Sequence, residues 1–399
     1  MILERCGRVT DRLTYMDSCY GLLFSSREMP SMSASTTSKR SRRHSVEAGV
    51  SSSASESDPA AAVGGVATRR GIKRPGVWIA VGAFLLVAVV GGILTMQGGT
   101  RRVQLGTAAS AVPATYDSER AFGYLEKICA IGPRISGTQG MQQQQQLLID
   151  FFEKQNGVVQ LQAFDVRHPL TGARTTLANL IARFGVDRPK RYLIAAHYDT
   201  RPFPDRDPVN PRGVFLGAND GGSGVAALME LSHHLRDLPS DVGVDLILFD
   251  GEELVYDSDR DPYFLGSTHF AREYLAQPTT PRYQAGILLD MVGDAEQHFY
   301  IEKNSWRYAR PVVREVWGLA EDLGVKSFHS RVKHEVRDDH IPLNTIARIP
   351  TIDIIDFDYP RPTTRGMSYW HTQQDVPANC SGESLAAVVY VVHQWLQSK

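Results

Sequence analysis

Apolar residues along this chain fall into two patterns. Short, nearly unbroken runs occur at 177–184, 192–196, 244–249, 285–289 and 351–355. Runs of that length and continuity predict strands covered on both faces, which need no polar alternation. Elsewhere apolar positions recur every three or four residues, as at Ala121, Phe122, Leu125 and Ile128, and at Met141, Leu147, Leu148, Phe151 and Phe152. The same spacing marks 225–235, then Val312, Val313, Val316, Trp317, Ala320 and Leu323 with Gly324 placed as a cap, and finally Leu385, Val388, Val389, Val392 and Leu396. These predict amphipathic helices. The glutamine run at 142–146 sits inside one of them and reads as its solvated face rather than a low-complexity tract. Strands alternating with helices predict an α/β fold, a mixed and mostly parallel sheet sandwiched between helices. No internal repeat interrupts that order.

One apolar run is of a different kind. Residues 77–96 carry no charge and have no polar face. As a helix they would span about 30 Å, the thickness of a bilayer core. Arg69, Arg70, Lys73 and Arg74 precede the run, and only Arg101 and Arg102 follow it. The heavier basic flank predicts a single-pass signal anchor with the C-terminal domain on the extracytoplasmic side. A cleaved signal peptide is the competing reading, but the run is too long and the Ala109-Ser110-Ala111 site too distant. The chain therefore divides into a basic, disordered tail (1–76), a membrane-spanning helix (77–96), a linker (97–115) and a catalytic domain (116–399).

Charge follows the same division. Residues 1–76 hold twelve Lys or Arg and seven Asp or Glu, a net of +5. Residues 101–399 carry a net of −6. A mildly acidic folded part argues against a nucleic-acid partner, and the basic tail reads as membrane-proximal. Four cysteines are too few for a disulfide scaffold; Cys129 and Cys380 could pair only if the fold brings them together.

The chemistry sits where the expected strands end. His197-Tyr198-Asp199-Thr200 closes one, and Gly217-Ala218-Asn219-Asp220-Gly221 leads into the next helix. Asp250-Gly251-Glu252-Glu253 closes another, Asp290 a third, and Trp370-His371-Thr372 follows the last, with Asp375 nearby. Singly, each has a plain reading: a core histidine, a turn, a packing tryptophan. Together they line the edge of an open α/β sheet, where ligands bind. Imidazole mixed with carboxylate is the donor set of catalytic zinc, whereas magnesium or calcium would take oxygen alone. Two adjacent glutamates leaving a strand point in different directions, so one can hold metal while the other, Glu252, carries protons.

These motifs, with Leu265-Gly266-Ser267-Thr268-His269 and Asp338-Asp339-His340-Ile341-Pro342, resemble the animal-type glutaminyl-peptide cyclotransferases of the zinc aminopeptidase superfamily. The resemblance covers roughly residues 116–399. It implies one zinc held by Asp220, Glu253 and His371. It implies Glu252 as the proton carrier, with Asp290 and Asp338 in a carboxylate network behind it. Trp370, with Ile341 and Tyr359, would line a pocket for the N-terminal glutamine of a peptide. In the two-zinc aminopeptidases the positions of His197 and Asp290 hold a second metal, and both residues remain here. The sequence departs from the animal enzymes at Asp353, where they have histidine, at Ser258 and Tyr359, where they have tryptophan and phenylalanine, and at Val225, where they have a cysteine. The catalytic domain is expected to be monomeric. A zinc aminopeptidase uses the same residues, with Glu252 activating water. A catalytically dead, receptor-like domain is the third reading, and the intact ligand set argues against it.

Overall fold

A computed structural model of the chain describes residues 112–277, 282–359 and 368–399. The basic tail, the apolar run at 77–96 and most of the linker lie outside the described residues. Among the described residues no helix is long and apolar enough to cross a membrane.

Helices α1 (Ser118–Cys129) and α2 (Gln139–Lys154) come first, followed by strands β1 (Val158–Arg167), β2 (Arg174–Phe184) and β3 (Lys190–His197). Helix α3 (Gly224–Ser232), β4 (Val242–Phe249), α4 (Leu265–Ala276) and β5 (Tyr283–Asp290) complete the central part. A small pair, β6 (Phe299–Ile301) and β7 (Phe328–Val332), brackets α5 (Lys303–Tyr308) and α6 (Arg310–Asp322). Strand β8 (Thr351–Ile355) and α7 (Gly382–Gln397) end the fold. The main sheet has six strands in the order β1-β2-β4-β3-β5-β8. Strands β4, β3, β5 and β8 run parallel, and β2 joins β4 antiparallel with β1 as its hairpin partner. The expected mixed, mostly parallel sheet is what forms.

Period-2 geometry explains the two-sided core. From β3, Tyr192, Ile194 and Ala196 join one apolar cluster with α1, α3, α6 and α7, while Leu193 and Ala195 join a second with Phe270, Ala271 and Tyr274 of α4. Each fully buried aliphatic side chain contributes roughly 1.5–3 kcal/mol. Asp245, an ionic group buried within β4, is answered by Arg191 and by the Tyr283 hydroxyl. Gly224 lets α3 lie directly on the sheet, because a Cβ there would sit 2.4 Å from the Leu289 carbonyl oxygen and 2.8 Å from the Ala196 Cβ.

Two elements depart from the sequence pattern. Strand β1 is an edge strand exposed along most of its length, so it shows no buried period. Helix α4 buries Gly266, Ser267, Phe270, Ala271 and Tyr274, a face whose apolar signal is broken by Gly and Ser. The helix expected at 225–235 ends at Ser232, and Leu235–Asp237 forms a separate turn. Cys129 and Cys380 are both buried and free.

Candidate metal centre and active site

Strand β3 is the first of the parallel strands, with β4 on one side of it and β5 on the other. The crossovers therefore part at its carboxyl end, the place where open α/β sheets leave a crevice. His197 is the last residue of β3 and Asp290 the last of β5. Strand β4 runs out at Phe249 into the segment carrying Glu252 and Glu253. Asp220 lies in a tight turn, Ala218–Ser223, that opens α3. Gly221 in that turn has φ 83°, and a Cβ there would meet the Asp199 carbonyl at 2.7 Å and the His197 ring at 3.0 Å. His371 arrives on the loop before α7 in a left-handed conformation, φ 58°, and Met291 beside Asp290 has φ 50°. Non-glycine residues rarely adopt that region, and they do so most often at functional sites.

The ligand candidates form two triads that share one carboxylate. Nε2 of His371 lies 3.4 Å from Oδ2 of Asp220 and 3.1 Å from Oε1 of Glu253. Nε2 of His197 lies 3.2 Å from Oδ1 of Asp220 and 3.2 Å from Oδ1 of Asp290. Tetrahedral zinc with bonds of about 2.0–2.2 Å holds its donors about 3.3 Å apart, so the donor set and its spacing fit. Each triad could hold one ion, and Asp220 offers a different oxygen to each. Glu252 and Asp338 share the cavity floor with them.

A second layer fixes these groups. Asp199 accepts from the backbone N–H of Glu252 at 3.2 Å and of Glu253 at 3.0 Å, which clamps the Glu-Glu segment. Asp375 accepts from the N–H of Asn219 at 2.7 Å and of Asp220 at 3.1 Å. The fully buried Arg134 donates to the carbonyls of Leu216 and Gly217 and so braces the same turn from below. Arg201 Nη1 donates to Glu253 Oε1 at 2.8 Å, and Asp205 Oδ1 lies 3.0 Å from His371 Nδ1. Sequence reasoning passed over Arg134, Arg201 and Asp205. The only trace in the sequence is the i,i+4 spacing of Arg201 and Asp205 in a proline-rich loop.

The electrostatics separate the two glutamates. Burial raises the Glu253 carboxyl, but His371 and Arg201 overcome it and hold the group down at about 2. Glu252 goes the other way. Burial pushes it well above the usual range; His197 opposes this, and Glu253, Asp338 and Asp339 add to it. Behind Glu252, burial and Asp290 raise Asp338 to about 7, and burial with Asp338 raises Asp353 well above the usual range. Asp353 is fully buried, and both its oxygens lack a hydrogen-bond partner. His340 Nδ1 lies 3.7 Å from it, and Glu302 stands 3.3 Å from Nε2 of that ring. Acids packed this closely titrate as a set and share protons.

The floor opens into a cavity of about 380 Å³ walled by Phe264, Met291, Val336, Ile355, Phe357 and Trp370. Trp370 packs on His371 with ring centroids 4.1 Å apart and meets Phe357 edge-on at 4.9 Å. Ser258 also lines it. Tyr359 and Ile341, expected in the pocket, are not among the lining residues. Tyr359 turns its hydroxyl to Asp294 at 2.8 Å. Ile341 belongs to the turn His340–Pro342, its N–H donating to the Asp338 carbonyl at 2.8 Å. Phe357 takes the wall position instead.

A mostly parallel sheet between helices, with imidazole–carboxylate triads at its switch point, has the framework and donor set of a catalytic metal site. Residues 179–396 match Peptidase family M28, and the chain belongs to that family. It is similar to the solved glutaminyl cyclase of Fimbriiglobus ruber, 39% identical, with the match covering 71% of this chain and 96% of that one at a TM-score of 0.66. It is also similar to a Zn-dependent exopeptidase from Parabacteroides distasonis, 32% identical, covering 71% and 99% at a TM-score of 0.64. Glutaminyl-peptide cyclotransferase of Bothrops jararaca is 28% identical over 236 residues, 51% of this chain and 60% of that protein. The chain spans 40% and 60% of the lengths of the first two curated relatives it matches. The resemblance read from the motifs thus holds. The family's solved neighbours include a glutaminyl cyclase and a Zn-dependent exopeptidase, which imply zinc dependence.

Proposed function

We propose that the chain is a zinc-dependent glutaminyl-peptide cyclotransferase, converting the N-terminal glutamine of peptides to pyroglutamate with release of ammonia. The observation that carries this reading is the split of the two glutamates: Glu253 is drawn into a triad with His371 and Asp220, while Glu252 lines the floor of an aromatic-walled cavity of about 380 Å³ outside that triad. Asp220, Glu253 and His371 would hold the ion, and when bound it supplies a Lewis acid for the γ-carbonyl oxygen. Trp370 and Phe357 pack against the glutamine side chain and exclude water from it. Glu252 accepts a proton from the α-amine as the amine nitrogen bonds to the side-chain amide carbon, Cδ. The same carboxyl then returns the proton to the departing amide nitrogen as the Cδ–N bond breaks, and ammonia leaves. Asp290 and Asp338 keep the charge around Glu252 balanced by sharing protons.

A second reading, a zinc aminopeptidase, is favoured by one observation: the His197–Asp220–Asp290 triad is intact. The test is to incubate the zinc-loaded chain with an N-terminal glutamine peptide. Ammonia and a pyroglutamyl product support the cyclase; a peptide shortened by one residue supports the aminopeptidase and overturns the first reading. The uncharged run at 77–96 and its basic flank support a single-pass anchor with the catalytic domain on the extracytoplasmic side. Alkaline extraction and protease protection of membranes check that placement.

A further inference from the structure

The cavity has an acidic floor and a basic rim. Asp220, Glu252, Glu253, Asp290 and Asp338 lie at its base, whereas Arg206 and Arg337 stand exposed at its mouth. The guanidinium carbon of Arg206 sits 3.9 Å from the Trp370 ring centroid. The backbone N–H of Arg206 donates to the His371 carbonyl at 3.1 Å, which ties this arginine to the loop that carries His371. A guanidinium stacked flat on an aromatic ring keeps its N–H edge available for a carboxylate.

The other charges at the rim are already answered. Arg201 is taken by Glu253 and Asp205. Asp205 also faces His371, and Glu335 lies 3.6 Å from Lys303. Arg206 and Arg337 have no carboxylate within ion-pair distance among the described residues. A peptide whose amine and glutamine side chain occupy the floor leads its second residue out through the mouth that these two arginines help to line.

We propose that Arg206 and Arg337 form a carboxylate-selecting subsite for the residue that follows the N-terminal glutamine. This rests on the cyclase reading of the floor. The carboxylate is either the side chain of an acidic second residue or the free terminus of a dipeptide. Exposed charges of this kind act weakly, so attraction of an acid and repulsion of a base together give roughly a tenfold preference.

The test compares kcat/KM of the zinc-loaded full chain for Gln-Glu-amide, Gln-Lys-amide, Gln-Ala-amide and Gln-Ala with a free carboxyl terminus, at low and high salt. A roughly tenfold advantage of Gln-Glu-amide over Gln-Lys-amide, shrinking with salt, is expected for a side-chain carboxylate. A gain confined to free Gln-Ala over its amide assigns the subsite to a terminal carboxylate. In the Arg206→Gln/Arg337→Gln double variant the Glu-to-Lys ratio should fall to near one, and Arg337→Lys should retain it. A ratio between substrates on one enzyme is insensitive to partial loss of folding or turnover. Equal rates for all four peptides in the unaltered enzyme, or a ratio unchanged in the double variant, overturn the subsite and leave the cyclase reading standing. No ammonia from any of them, Gln-Ala-amide included, overturns the cyclase reading and the subsite with it.

Discussion

Oδ1 of Asp205 lies 3.0 Å from Nδ1 of His371, and the opposite nitrogen of that ring faces Glu253 at 3.1 Å and Asp220 at 3.4 Å. A carboxylate at ion-pair distance from the far nitrogen of an imidazole favours one tautomer and orientation of the ring. Asp205 is itself held by Arg201 Nε at 2.9 Å, so one loop steadies two ligands at once. Asp205→Asn keeps the shape and removes the charge. Zinc affinity should fall about 10- to 100-fold, read by competition with a chromophoric chelator. Unchanged affinity would mean that the backbone alone positions His371.

Glu252 and Glu253 are adjacent, and their substitutions should have opposite signatures. Glu252→Gln should lower turnover by about 10²–10⁴-fold, the usual contribution of a positioned proton carrier, while zinc content stays at the unaltered level. Glu253→Gln removes a ligand and leaves the buried Arg201 guanidinium without its 2.8 Å partner. That variant should lose zinc and also lose about 3–5 kcal/mol of stability, as when one half of a buried ion pair is removed. Metal analysis and urea unfolding separate the two. Zinc loss in Glu252→Gln would reverse the assignment.

Among the candidate ligands, His197, Glu253 and Asp290 were legible because each closes or directly follows a strand buried on both faces. Asp220 and His371 were legible instead from the glycine-rich turn before α3 and the Trp370-His371-Thr372 motif. The eight positions of β4 are all buried, so its unbroken apolar run announces both the strand and the place where Glu252 and Glu253 leave it. The supporting layer was not legible. Arg134 is fully buried, yet its partners are carbonyls, which carry no sequence signal. Asp205 is exposed in a loop without periodicity, and its role comes only from where His371, far along the chain, is delivered. Phe357 and Tyr359 differ by two positions on an irregular segment, so no spacing rule distinguishes the wall residue from the one that turns to Asp294.

Asp353 stands where the animal cyclases carry histidine, and burial followed by Asp338 and Asp290 raises its carboxyl well above the usual range. An unfolded aspartate ionises near pH 3.9. Between that pH and the raised folded value, the folded chain keeps a proton that the unfolded chain has lost. Stability therefore falls as pH rises through that window. Asp353→Asn supplies a neutral group of the same shape at every pH. The variant should be more stable than the unaltered chain at pH 7.5, with the margin shrinking toward pH 4.5, as read from urea midpoints. Lower stability of the variant at pH 7.5 would mean that Asp353 is ionised and held by His340.

His393 offers a titration remote from the metal centre. Its Nδ1 lies 2.8 Å from the Tyr116 hydroxyl, and its ring sits 5.3 Å from that of His234. Burial, followed by the neighbouring His234, holds the imidazole down at about 4. An unfolded histidine takes its proton near pH 6.5, so between 6.5 and 4 the unfolded chain binds a proton that the folded chain refuses. The contribution is thus intact above pH 6.5 and is lost as pH falls toward 4, by at most roughly 3 kcal/mol. His393→Gln keeps a polar partner for Tyr116 and cannot ionise. Its unfolding free energy should drop less than that of the unaltered chain between pH 7.5 and pH 4.5. Parallel pH dependence in the two proteins would show that His393 is protonated in the fold, and that the acid sensitivity of this domain arises elsewhere.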